Sequence, residues 1–296
     1  MTTTEVRKSS FNELQALTER LVTQAEALAA LVAQLKLDAT GEPGDPEVTA
    51  ALDRVVDVLG ATDLCTNLDE RERATVIGHV STMLRQAMDL IDDPVRPGGW
   101  YYTDPAILQG QGASSVIVAR LIAGAGIGRH DARILDIGTG VGALAVAFCR
   151  TFAGSTVVGI DSWELSLELA RQNVAVAGLD SRITLRSTRI EAFEDDEGFD
   201  LVWMPVIFLS PEILTDAVRR AVASMRPGAQ IVLGRYAGSD DSLAGALGDL
   251  RTIRSGGALL KPSDTRVLLE GVGLVDVREI ERTWPAPIGL TVGRRP

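Results

Sequence analysis

Two kinds of hydrophobic spacing divide the chain. Through roughly the first third, apolar residues recur at three and four and no run alternates with period two, so this part predicts helices. The clearest stretch is Phe11 to Leu37. Leu14, Leu21, Leu28 and Leu35 fall seven apart, with Leu17, Gln24 and Leu31 between them, an a/d seam of about three heptads. Such a seam needs a partner, either other helices of the same chain or a second copy, and Gln24 within it fixes register at some cost in stability. Positions 41–46 have turn chemistry and predict a linker. A helix follows from Val48 to Leu59 and another from about Leu68 to Ile91, with Asn67 as N-cap and Asp92, Asp93 and Pro94 as its end. The second presents Val76, Val80, Met83, Ala87 and Leu90 on one face. His79 lies off that stripe and reads as an exposed or interdomain histidine. Pro94, Pro97, Gly98 and Gly99 then mark a boundary, and the glycine pair offers a hinge. The expected division is 1–95, an all-helical cap or dimerisation domain, and 96–296, a catalytic domain.

After a helix expected at Ser114 to Ala123, the spacing changes at Arg133. Apolar runs of five or six residues, near 133–138, 156–161, 183–188, 200–205 and 229–236, alternate with amphipathic segments of ten to fifteen. That alternation predicts βαβ units and a mostly parallel sheet covered on both faces. The last two runs, 275–282 and 288–294, are too close for a helical crossover and predict an antiparallel pair. The fold class is therefore α/β: a Rossmann-like, seven-stranded, mostly parallel sheet with an antiparallel last strand, behind an all-helical N-terminal domain.

Composition narrows the partners. Among 296 residues, 29 Lys and Arg stand against 40 Asp and Glu, and the net charge of −11 disfavours a nucleic-acid backbone as ligand. Cys65 and Cys149 make neither a disulfide framework nor a metal-ligand pattern, which suits a reducing cytoplasm. Charged or polar residues such as Arg120, Glu26 and Gln34 interrupt the apolar stretches before about 18 residues accumulate, so no membrane span is expected.

The chemistry-bearing segment is ArgIleLeuAspIleGlyThrGlyValGlyAlaLeuAla, 133–145. A strand runs into a turn with Gly138, Gly140 and Gly142 and then into a helix, a place where backbone approaches a ligand and free amides point at it. The glycines alone also satisfy the dinucleotide pattern GxGxxG/A, through Gly138, Gly140 and Ala143. Asp136 separates the two readings, because a carboxylate at the strand end repels a pyrophosphate and attracts a cationic amino-acid head group. Asp161, closing ValValGlyIleAsp, is placed to accept hydrogen bonds from a ribose in either cofactor class.

Taken together, residues 133–236 resemble the class I S-adenosylmethionine-dependent methyltransferases. The likeness covers the glycine turn, the acidic end of the second strand, PheAspLeuValTrpMetPro at 199–205 and MetArgProGlyAlaGlnIleValLeu at 225–233. The resemblance implies S-adenosylmethionine as cofactor. Gly138, Thr139 and Gly140 would approach its methionine part, Asp161 the ribose, Ser162 and Trp163 the adenosine rim, and the Met204 backbone the sulfonium. Trp163 reads equally as a core residue. After the third strand, where many members carry an acidic residue for adenine, this chain has SerThrArgIleGlu at 187–191. Arg189 cannot accept a hydrogen bond, so the Ile190 backbone or Glu191 takes that place. The fourth strand ends MetPro instead of AsnProProTyr, which disfavours an adenine or glutamine acceptor.

The catalytic group is less defined. The resemblance places a base beyond the fifth strand, but GlyArgTyrAlaGlySer at 234–239 has no histidine, and His79 and His130 both precede Asp136. Tyr101, Tyr102 and Tyr236 are the remaining candidates for the catalytic group, and Tyr236 and Arg235 are candidates to line a pocket. Trp100, Tyr101 and Tyr102 either roof a flat acceptor or pack. Asp104, Gln109 and Gln111 serve as caps and turns, or contact cofactor and acceptor. His130 is expected on the far side of the sheet. The leading expectation is a cytoplasmic, homodimeric O- or N-methyltransferase of a small organic molecule. The alternatives are other S-adenosylmethionine chemistry (cyclisation or decarboxylation), an NAD-dependent oxidoreductase and a non-catalytic scaffold.

Overall fold

The structure is a computed structural model that describes residues 3–237 and 242–296. The chain divides into two compact units, Met1–Asp92 and Asp93–Pro296.

The first unit is helical: α1 (Thr3–Thr40), α2 (Pro46–Val58), α3 (Thr62–Thr66) and α4 (Glu70–Asp92). Asp45 caps α2, its Oδ1 accepting from the Glu47 and Val48 amides, with Pro46 at the first helical position. The cap of α4 differs from expectation. Asn67 ends α3, a helix not expected, and α4 is entered through Asp69 and Glu72, each carboxylate accepting from the other's amide. This reciprocal pair satisfies two free donors, which a lone Asn67 would not. Leu35, Val56, Ala61 and Cys65 form the core, with Leu31, Leu68, Val76 and Ile77 against it. The heptad seam is thus buried at its C-terminal end, while Leu14, Leu17, Leu21 and Leu28 remain 38–59% exposed.

The second unit begins with α5 (Pro105–Ser115) and α6 (Ile117–Gly124), then alternates β1 (Arg133–Ile137), α7 (Ala143–Thr151), β2 (Thr156–Asp161), α8 (Glu164–Val176), β3 (Ile183–Ser187), β4 (Phe199–Pro205), α9 (Pro211–Ala223) and β5 (Met225–Tyr236), closing with α10 (Leu243–Arg254), α11 (Pro262–Gly271), β6 (Val275–Glu279) and β7 (Ile288–Arg294). The order across the sheet is β3-β2-β1-β4-β5-β7-β6. Strands β1 to β5 are parallel, and β7 runs antiparallel to both neighbours.

Both faces are buried, which accounts for the continuous apolar runs. Ile134, Val157, Leu201, Trp203 and Val232 face one side with Leu144 and Phe148 of α7. Leu135, Val158, Val202, Met204 and Leu233 face the other with Leu214 and Val218 of α9.

Two boundaries move for physical reasons. The expected helix at 114–123 is two helices broken at Val116, the first starting at Pro105 behind an Asp104 cap, so Gln109 and Gln111 sit on a helix and not in a turn. Strand β5 begins at Met225, before the expected 229, because Met225 already pairs with Phe199 and residues 226–229 bulge out before pairing resumes at Gln230. The stretch Pro105–Gly124 has the length and apolar content to cross a membrane. Here Ile107, Leu108, Val118, Ala119 and Ile122 are buried, three of them in the core beside the sheet.

Candidate cofactor and acceptor site

The site grows from the carboxyl end of β1. Asp136 lies opposite Gly159 of β2 and Trp203 of β4. Asp136 is 1% exposed. Its Oδ2 accepts from the Thr139 hydroxyl at 2.7 Å, while its Oδ1 is buried with no hydrogen-bond partner. Burial, opposed by the Thr139 bond and reinforced by the charge of Asp161, pushes the Asp136 carboxyl up to about 7. Gly159 makes this possible. A Cβ there would stand 2.7 Å from Thr139 Oγ1 and 3.0 Å from its Cβ, so the missing side chain is what lets Thr139 seat beside Asp136.

The turn itself requires glycine, since Gly138, Gly140 and Gly142 have φ of 67°, 55° and 72°. These conformations aim the Gly140 amide at Asp161 Oδ2, 2.8 Å away, while Asp161 Oδ1 accepts from the Trp163 amide at 2.8 Å. Burial raises the Asp161 carboxyl, and the Trp163, Gly140 and Ser162 amides oppose that. Two acidic strand ends and a left-handed glycine turn therefore meet at one edge. The buried, half-satisfied Asp136 fits a cationic ligand; a pyrophosphate would add charge of the same sign.

A strap crosses this edge. The Trp163 indole donates to the Tyr102 carbonyl at 3.1 Å, at the exit of β2. Trp100 packs edge-on to Tyr102 and to Phe208, with centroids 5.0 and 5.2 Å apart, and Phe208 lies in the turn leaving β4. Residues 100–102 thus link the exits of β2 and β4, the two strands that flank β1. The expected hinge at Gly98 and Gly99 is instead pinned. The Gly99 amide donates to the Arg254 carbonyl, Arg254 Nη1 donates to the Asp93 and Arg96 carbonyls, and a Cβ on Gly98 would lie 2.3 Å from the Ile253 carbonyl. These glycines allow close backbone packing on α10.

The remaining candidates separate. Ser162 is exposed and Trp163 half-buried at the start of α8. Met204 is buried in the core, leaving its backbone at the β4 exit. Ile190 also turns into the core, and Arg189 is exposed and paired with Glu191 at 3.2 Å. Gln111 is half-buried on α5, its carbonyl accepting from Ser114. Tyr101 is half exposed with its hydroxyl donating to the Gly98 carbonyl, and the Arg96 guanidinium stands over the rings of Tyr101 and Tyr102. Tyr236 packs on Gly248, and burial raises its phenol, which works against a phenolate base. Arg235 pairs with Glu279. Gly238 and Ser239, the end of the stretch beyond β5, lie outside the described residues. His130 is exposed in the turn before β1, at the opposite edge, where Asp200 accepts from the Arg133 amide, Arg129 and Arg226 as a structural hub.

Three contributors were not read from the sequence. Gly159 was visible as a mid-strand glycine opposite an acid. The clamp in which Asn173 donates to the Val141 carbonyl and to Gln109, tying α8 to α5 and the turn, spans 64 residues and left no local signal. Nor did the anchoring of Arg254 on the strap.

Residues 134–228 match the sequence model of a methyltransferase domain. The second unit has the class I S-adenosylmethionine-dependent methyltransferase fold. In sequence, the chain is similar to an uncharacterised RNA methyltransferase of Gloeobacter violaceus, 30% identical over 180 residues, covering 60% of this chain and 37% of that protein. The chain spans a quarter to about half of the length of the first curated relatives it matches. In structure it is similar over 96% of its length to SibL, an S-adenosylmethionine-dependent methyltransferase, covering 99% of that chain with a TM-score of 0.64 at 21% identity. The human N-acetylserotonin methyltransferase, solved with S-adenosylmethionine, gives 0.69 at 15% identity, covering 95% of this chain and 97% of that one.

Proposed function

We propose that the chain is a cytoplasmic, homodimeric methyltransferase that binds S-adenosylmethionine and methylates oxygen or nitrogen of a small organic acceptor. The observation that carries the reading is the pair of buried Asp136 and half-buried Asp161 around the Gly138–Gly142 turn. Asp136 would face the cofactor's cationic end and Asp161 its ribose, with the Gly138, Thr139 and Gly140 backbone along the methionine part. Held there, the cofactor would supply an activated methyl group for transfer to the acceptor. The chain's own task is to align the acceptor and exclude water, and the strap of Trp100 to Tyr102 between the exits of β2 and β4 supports that role.

A net charge of −11 favours a small acceptor over a nucleic acid. The second copy is supported by the seam on α1, which is partly buried at Leu31, buried at Leu35 and exposed at Leu14, Leu17, Leu21 and Leu28. Melting curves with S-adenosylmethionine, S-adenosylhomocysteine and NAD test the cofactor, since a ligand of the folded state raises the midpoint. A rise with the first two and none with NAD is expected; a rise with NAD alone would refute the reading. Incubation with methyl-labelled cofactor and a panel of phenols, carboxylic acids and amines then tests the transfer. Transfer to RNA and none to the panel would refute the small-molecule assignment.

A further inference from the structure

Asp136 is a carboxylate in an unusual position. It is buried, one oxygen has no partner, the other accepts a single hydroxyl from Thr139, and the nearest charge is a second carboxylate, Asp161. Among the described residues, no cation acts on it from the elements around it, and Arg171 of α8 is paired with Glu164. On its face, α5 carries no ionisable side chain. Arg120 of α6 and Arg150 of α7 are exposed, Cys149 of α7 lies against Ser155 at the amino edge, Arg235 of β5 is paired with Glu279, and Asp200 of β4 sits at the amino edge with its own arginines. An ionised carboxylate left this way is expensive, and two side by side more so. Burial therefore favours the protonated form of Asp136 in the free protein, and a cationic ligand would favour the ionised one.

We propose that cofactor uptake at this site is coupled to release of the Asp136 proton, so that the site tightens on its cationic ligand as pH rises. The inference rests on the S-adenosylmethionine reading and adds to it a proton balance. The O–H bond of the Asp136 carboxylic acid breaks, the proton passes to buffer, and the carboxylate left behind is neutralised by the ligand's positive charge. No group other than solvent is needed to take the proton. On departure of the ligand the carboxylate takes a proton back, which favours release in acid.

The test is calorimetric titration of S-adenosylmethionine into the wild-type protein at pH 6.5, in two buffers of different ionisation enthalpy. With the Asp136 carboxyl at about 7 in the free protein, the difference in heat should report release of roughly three quarters of a proton, falling to about a tenth at pH 8. Equilibrium dialysis should show affinity rising about tenfold from pH 6 to pH 8. Asp136→Asn, which keeps the shape, should bind with buffer-independent heat and a flat profile. Binding with equal heats in both buffers and a flat wild-type profile would overturn the proton coupling while leaving the cofactor assignment intact. Absence of both binding heat and melting shift at every pH would overturn the cofactor reading and this inference with it.

Discussion

Replacing Asp136 by Asn isolates what one buried charge costs the free protein. The carboxyl is raised from its ordinary 3.8 to about 7, with burial as the first cause. A raised acid means that the folded state holds a proton the unfolded chain has already lost, so stability falls as pH rises. The window is set by the two values. Below about pH 4 there is no penalty, between about 4 and 7 the protein loses about 1.4 kcal/mol per pH unit, and above about 8 the loss is complete at about 4 kcal/mol. Asn cannot ionise. The difference in unfolding free energy between Asp136→Asn and wild type should therefore move by about 3 kcal/mol in favour of the variant between pH 5 and pH 8.5. Contributions that do not depend on pH, such as the orphaned amide, cancel in that comparison. Urea unfolding at the two pH values, followed by circular dichroism without ligand, measures it. A difference that stays constant within about 0.5 kcal/mol would show that Asp136 is solvated or paired, and would remove the physical basis of the site's preference for a cation.

Other outcomes follow from the same contacts. Gly159→Ala should displace Thr139 and weaken S-adenosylhomocysteine binding by about 1–3 kcal/mol, the cost of a lost charge-assisted hydrogen bond; calorimetry checks it, and unchanged affinity would mean that Thr139 does not act through Asp136. Replacing Tyr101 and Tyr102 together by Ala should depress turnover of an identified acceptor while S-adenosylhomocysteine affinity stays within about threefold, under about 1 kcal/mol; full turnover would reduce the strap to packing. Leu17→Ser with Leu21→Ser should turn a dimer into monomers in sedimentation velocity, and a wild-type chain that sediments as a monomer at micromolar concentration would refute the proposed seam.

The strands themselves and the placing of the glycine turn were legible because both faces of the sheet are buried, so β1, β2, β4 and β5 read as unbroken apolar runs, and because left-handed turns at Gly138, Gly140 and Gly142 demand a residue that stands out; the order of the strands across the sheet was not read. What was not legible is non-local or competitive. Asn67 is a good capping residue, but the reciprocal pair of Asp69 and Glu72 satisfies more donors and wins. Residues 104–112 contain two glycines and a proline and read as a turn, yet the Asp104 cap and the burial of Ile107 and Leu108 hold them helical. Gly98 and Gly99 read as a hinge from composition, whereas their use here is backbone contact with α10 across 155 residues of sequence.

The central claim is that two acidic strand ends and a glycine turn form a site for S-adenosylmethionine, and it is tested most directly at Asp161. Calorimetry of S-adenosylhomocysteine with wild type and with Asp161→Ala, at pH 8, should show binding to the first and a loss of about 1.5–3 kcal/mol in the second, with the far-ultraviolet spectrum unchanged. Equal affinity in both proteins would contradict the account.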